Sequence, residues 1–299
     1  MLGLALAAAA SFAMGWLGYQ VVQSLRPAPS AQLDQTSITP ASAGGGDAGA
    51  RSAAGSRPPT AFAEPAASGL RPGGTASGLR SALSCLAGSQ REISSPADPS
   101  NYGLRLAQDW QGRPVPNTPK LIVLHETVVD EATALSLFRR HHGDDGQQAS
   151  YHVLIGRDGR RIRVVPDDQR AYGAGDSAFQ NLTVQLKPGL RPSVNNIALH
   201  VSLVSPDDGA DGEARRHGGY TPAQYRSLAS QIALWQGLYG IPGSQVVTHQ
   251  EVDRSGTRRD PRSFDWGLLA RDLRQTLMAC GSSPRLADLG RGSLPAASR

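Results

Sequence analysis

The 299-residue chain is short of several things, and each shortage closes off a class of protein. Two cysteines are too few for a Cys-rich zinc module or a disulfide-dense miniprotein. Aromatic residues make up 5 % and apolar residues 39 %, both low for one well-packed domain of this length. The 30 Lys and Arg stand against 25 Asp and Glu, so the formal charge is only +5. No run of five or six basic residues occurs, and no nucleic-acid partner is expected. The HExxH, P-loop and nucleophile-elbow motifs are also absent, and no dinucleotide fingerprint stands between a strand and a helix pattern. Glycine (34) and proline (21) are abundant, as in a folded part diluted by disordered sequence.

The segment Leu2 to Gln23 has no charged side chain, and the first in the chain is Arg26. This approaches the roughly 20 apolar residues that cross a bilayer. Residues 1–25 are expected to form a membrane anchor or a signal segment, although the basic n-region of a secretory signal is missing. A buried or mis-started N-terminus is the third reading. Anchor and signal would both export the remainder to the cell envelope, in a periplasmic or extracytoplasmic location. Residues 26–84 are rich in Ala, Ser, Gly and Pro and read as a disordered linker. Residues 282–299 read as a disordered tail.

Between Cys85 and Cys280 periodic patterns appear, and one domain is expected over 85–281. Leu121-Ile122-Val123-Leu124 is a short continuous apolar run, suited to a strand buried on both faces. Tyr151 to Ile155 and Arg161 to Val165 flank Gly156-Arg157-Asp158-Gly159, a hairpin signal. Ile197 to Val204 alternates, with Ala198, His200 and Ser202 on one face, and Gln245 to Thr248 is a short further run. Thr221-Pro222-Ala223-Gln224 supplies a cap, a first-turn proline and a capping-box glutamine, and Gly240 closes the helix. Asp130–Arg140 and Phe264–Met278 read as further helices. The fold class is α/β: a single domain with a central mixed β-sheet flanked by helices, preceded by the apolar segment and the linker.

His125 follows one apolar run and His249 another, so both sit at strand ends, where ligand sites of α/β sheets collect. Asp260 lies shortly after His249. Two imidazoles and a carboxylate make an open Zn2+ set. The residues alone leave another reading open, in which the histidines are hydrogen-bonded core residues and Asp260 caps a turn before Pro261.

The whole segment resembles the zinc-dependent N-acetylmuramoyl-L-alanine amidases, the type-2 amidase fold shared with peptidoglycan recognition proteins. The stretches that carry the resemblance run in order. They are Leu121 to Thr127, Ser150 to Gly159, Val164 to Gly175, Asn196 to Val201, Tyr220 to Tyr225, Val247-Thr248-His249 and Asp260 to Trp266. The resemblance implies Zn2+ held by His125, His249 and Asp260. It also implies hydrolysis of the amide between N-acetylmuramic acid and L-alanine of the peptidoglycan stem peptide. A non-catalytic peptidoglycan-binding module of the same fold is the alternative.

Tyr151 matches a tyrosine that assists catalysis in one branch of the family. Arg258 stands where many members have lysine, and is expected to hold the oxyanion. His200 stands where a bacterial branch has a catalytic glutamate, and is expected to be the general base. Gly173 replaces a frequent histidine. Cys85 and Cys280 bracket the domain, and an exported chain would keep them bridged; two unrelated small apolar residues are the other possibility.

Overall fold

A computed structural model describes residues 76–88, 92–208 and 214–290. The apolar segment 1–25 and most of the expected linker lie outside the described residues. Among the described residues, no helix is long and apolar enough to cross a membrane.

A six-stranded mixed sheet organises the domain. In chain order its strands are β1 (Glu92–Ser94), β3 (Leu121–Glu126), β4 (Val153–Ile155), β5 (Arg161–Arg163), β7 (Ala198–Leu203) and β8 (Val246–Thr248). Their spatial order is β1-β5-β4-β7-β3-β8. The last four in that order run parallel, whereas β5 is antiparallel to β4 and parallel to β1. The short strands β2 (Tyr102–Leu104) and β6 (Gln169–Ala171) form a separate antiparallel pair. Central β3 is buried at every position, as its unbroken apolar run predicts.

Register divides the side chains of β3 and β7 between two faces. Ile122 and Leu124 pair with Leu199 and Val201, and this face packs on the helices α3 (Pro222–Tyr239) and α5 (Trp266–Ala279). Leu121, Val123 and His125 pair with Ala198, His200 and Ser202 on the other face. There the apolar cover comes from α2 (Glu131–Arg139) and from the long connection between β6 and β7. The short helix α4 (His249–Val252) follows β8 directly.

Helix α3 forms where its cap predicts. Thr221 Oγ1 accepts the Gln224 N–H at 3.1 Å, and Gln224 Oε1 accepts the Thr221 N–H at 3.0 Å. Gly240 ends the helix with φ of 66°, a conformation that glycine adopts without steric cost. The predicted hairpin is also present, with the Gly156 N–H bonded to the Arg160 carbonyl at 2.9 Å.

Both expected domain boundaries need correction. Helix α1 (Ala76–Gly88) begins inside what reads as linker, because Ala82 and Leu86 fall one turn apart and both are buried. Beyond 281, a 3-10 turn over Pro284–Ala287 places Ala287 and Leu289 in the helix-side core. Leu286 O accepts from Gln236 Nε2 at 3.0 Å, which ties this segment to α3. Composition hid both segments, since a few well-spaced apolar residues suffice to dock a short helix.

Cys85 and Cys280 form a disulfide across a sequence separation of 195 residues. It joins α1 to the C-terminal end of α5. Replacing either cysteine by serine should lower unfolding free energy by about 2–5 kcal/mol, and reductant should do the same to the parent. Denaturant unfolding with and without reductant measures this directly.

Candidate metal centre and active site

Parallel pairing of β8 with β3 brings the ends of both strands to one edge of the sheet. His125 lies in the last turn of pairing on β3, and His249 opens α4 just past β8. Thr248 and Glu251 cap α4 reciprocally, which fixes where His249 leaves the strand. The Gln250 N–H donates to the Asp260 carbonyl at 3.1 Å, so the third residue is drawn beside the second. The Asp260–Pro261 peptide is cis.

These three side chains converge. Asp260 Oδ2 lies 3.2 Å from His125 Nδ1 and 3.1 Å from His249 Nδ1. One donor atom from each residue falls within 4.8 Å of the others. Contacts of this length approach the roughly 3.3 Å edge of a tetrahedron with metal–ligand bonds of about 2.0–2.1 Å. Burial pulls the His125 imidazole down to about 4, so the ring is neutral and has a lone pair to offer. For Asp260, burial acts to raise the pKa, but the neighbouring His249 and His125 outweigh it and hold the carboxyl well below the usual range. Two neutral imidazoles and a carboxylate are the donor set expected of an open zinc site, and the arrangement fits one.

His249 and Asp260 face a cavity of about 640 Å³ that Tyr151, Arg258 and Glu126 also line. The Tyr151 ring stands 4.7 Å from that of His125 and meets Phe138 edge-on at 5.5 Å. Burial, and then the Asp260 charge, push its phenol well above the ordinary value, so the hydroxyl keeps its proton. Arg258 is placed through its main chain, whose N–H donates to Asp253 Oδ2 at 3.0 Å. Its charge is felt at both His125 and Tyr151. The six site residues expected from the sequence lie together: four line the cavity, His125 contacts Asp260, and His200 contacts His125.

His200, read from the sequence as the general base, is fully buried and is not among the groups that line the cavity. Its Nδ1 lies 2.9 Å from His125 Nε2. Strand alternation assigns the right face of β7 but says nothing about depth, and the residue 173 backbone lies between this ring and the open side. Gly173 shows why: a Cβ there would stand 2.6 Å from the His200 ring.

Other residues at the site carried no clear sequence signal. Glu126 follows a ligand and is almost fully buried, and its carboxylate is surrounded by donors. Arg262 Nε binds one oxygen, while Tyr220 OH (2.8 Å) and His217 Nε2 (2.7 Å) bind the other. Because His217 Nδ1 accepts the Gly219 N–H at 2.9 Å, its proton is on Nε2 and is donated to Glu126. His152 is a core histidine, accepting the His200 N–H on Nδ1 at 2.9 Å. Arg105 donates to Asn196 O at 2.8 Å and to Ala198 O at 2.9 Å, which pins the start of β7. All of these link positions tens of residues apart, so no local pattern marks them.

Residues 115–263 match the family model described as N-acetylmuramoyl-L-alanine amidase. The chain belongs to that family. The 1,6-anhydro-N-acetylmuramyl-L-alanine amidase AmpD of Citrobacter freundii is 29 % identical over 119 residues, which is 40 % of this chain and 54 % of that protein. AmpD of Escherichia coli K12 is also 29 % identical over 119 residues, covering 40 % and 55 %. The chain thus spans about half the length of the curated relatives it matches. Among solved structures, E. coli AmiD, in complex with anhydro-N-acetylmuramic acid-L-Ala-D-γ-Glu-L-Lys, is 22 % identical. It superposes with a TM-score of 0.42 over 52 % of this chain and 57 % of AmiD.

Within this amidase domain the Glu126–Arg262 pair is closed off from water, with side chains 1 % and 3 % exposed. Removing one partner leaves the other charge buried. Glu126→Ala should therefore cost about 3–5 kcal/mol of stability, read from urea unfolding, and should release Tyr220 and His217 from the edge of the site.

Proposed function

We propose that this protein is a zinc-dependent N-acetylmuramoyl-L-alanine amidase. It would hydrolyse the amide between N-acetylmuramic acid and L-alanine of the peptidoglycan stem peptide. The observation that carries this reading is the convergence of His125, His249 and Asp260 beside a cavity that also presents Tyr151 and Arg258. Family membership and the AmpD relatives support the reaction class.

His125 and His249 would hold Zn2+ through Nδ1, with Asp260 as the third ligand. The metal would polarise the scissile carbonyl and make hydroxide available near neutral pH. The chain's own groups do the rest. Arg258 offers a fixed positive charge where the carbonyl oxygen becomes an oxyanion, and arginine does not exchange protons in this role. Tyr151 holds a proton on a buried hydroxyl at the cavity wall, the group best placed to hydrogen-bond the substrate amide. The third ligand favours catalysis over a binding-only role, because Asp260 completes the donor set.

Residues 1–25 are proposed to export the domain, as a membrane tether or a signal segment, to the periplasmic or extracytoplasmic side. Peptidoglycan is then the substrate within reach, and cell-wall breakdown the process served.

Digestion of purified sacculi, followed by mass spectrometry, tests the reaction. Free stem peptides beginning with L-alanine and glycan with unsubstituted lactyl groups are expected, and a chelator should abolish both. Asp260→Ala should be inactive while remaining folded. Arg258→Ala should lower kcat by about 10²- to 10³-fold, as loss of one oxyanion donor does. Sacculus binding without product release by the zinc-loaded protein would favour the non-catalytic module instead.

A further inference from the structure

The geometry points to His200 as a positioning residue for the first metal ligand, with Gly173 as the counterpart that makes room for it. This rests on the proposed metal site. A neutral imidazole has one N–H and one lone pair. For His125 to direct its Nδ1 lone pair toward His249 and Asp260, its proton must sit on Nε2, and a buried N–H needs an acceptor. His200 Nδ1, at 2.9 Å, is the partner found there among the described residues. Without it the ring of His125 would lose both its tautomer and its rotation about Cβ–Cγ.

His200 is held from several sides. Its main-chain N–H donates to His152 Nδ1 at 2.9 Å, and its carbonyl accepts the His152 N–H at the same distance. The two rings lie nearly parallel, 5.8 Å apart at an interplanar angle of 11°. Accepting on Nδ1 puts this ring's own proton on Nε2, which is buried with no hydrogen-bond partner among the described residues, a cost that the bond to His125 must offset. Among the described residues, the bond to His125 is the one hydrogen bond made by the imidazole.

Gly173 closes the remaining side. A Cβ at that position would meet His200 Cγ and Nδ1 at 2.6 Å and His200 Cβ at 3.1 Å, closer than carbon atoms pack. The ring at 200 thus takes the space that a side chain at 173 would need.

Titration of zinc into the metal-free, full-length protein against a chromogenic chelator tests this, with thermal unfolding of each variant as the check on folding. His200→Leu should weaken zinc binding by about 10- to 100-fold, the usual effect of losing the partner of a ligating histidine. His200→Gln, whose carbonyl can accept the same N–H, should recover affinity to within about threefold of the parent. Gly173→Ala should weaken zinc binding although its methyl group touches no ligand, and should add no further loss in the His200→Ala background. Nitrogen chemical shifts of the zinc-loaded parent should place the His125 proton on Nε2. His200→Leu with the parent's zinc affinity would overturn the inference alone. So would His200→Gln that keeps zinc but loses kcat by 10²-fold or more, the mark of proton transfer. If His200→Leu does not fold, Gly173→Ala decides, and unchanged affinity there overturns it. A parent protein that takes up no zinc would instead overturn the metal reading on which this one stands.

Discussion

A strand buried at every position ends in two polar side chains, and the rest of the site follows from that constraint. The interior of β3 is apolar up to Leu124, and then His125 and Glu126 must find partners out of reach of water. They point to opposite faces, as neighbours on a strand do. His125 is satisfied by Asp260 on one side and His200 on the other. Glu126 is satisfied by Arg262, Tyr220 and His217. Partner residues on the 249–262 segment serve both side chains, Asp260 for one and Arg262 for the other. The loop that completes the His–His–Asp cluster is therefore also the loop that neutralises the buried acid next to it.

Much of this was legible in the sequence, because the signals were local or came as an ordered set of motifs. The unbroken run Leu121–Leu124 marked a doubly covered strand, and Thr221 with Gln224 marked the start of the longest helix. His125, His249 and Asp260 were readable as a candidate ligand set through their positions at strand ends together with the family resemblance, and their side chains do cluster. What escaped was depth and distance. Alternation along β7 put His200 on the correct face, yet it could not reveal that the ring is buried against the Gly173 backbone. Arg105 and Arg262 act across dozens of residues, and nothing near them in sequence distinguishes them from surface arginines. The helix at 76–88 was obscured by Ser- and Gly-rich surroundings, since two buried side chains barely alter composition.

The two faces of the sheet divide the work. One carries α1, α3 and α5 and supplies most of the apolar core, including Trp235 and Leu273. The other, with thinner cover from α2 and long connections, leaves room for the cavity. The candidate site thus rests on a helix-backed sheet, while much of the cavity wall belongs to connecting segments, which vary more freely than a core does.

The disulfide has a mechanical consequence. Helix α1, through which the chain enters the domain, packs among the helices on the face away from the cavity, and Cys85 fastens it to the last turn of α5. Tension applied to the segment before residue 76 would therefore pass through a covalent bond into α5. The bond thus gives such a load a covalent route into α5, outside the strands that carry His125 and His249.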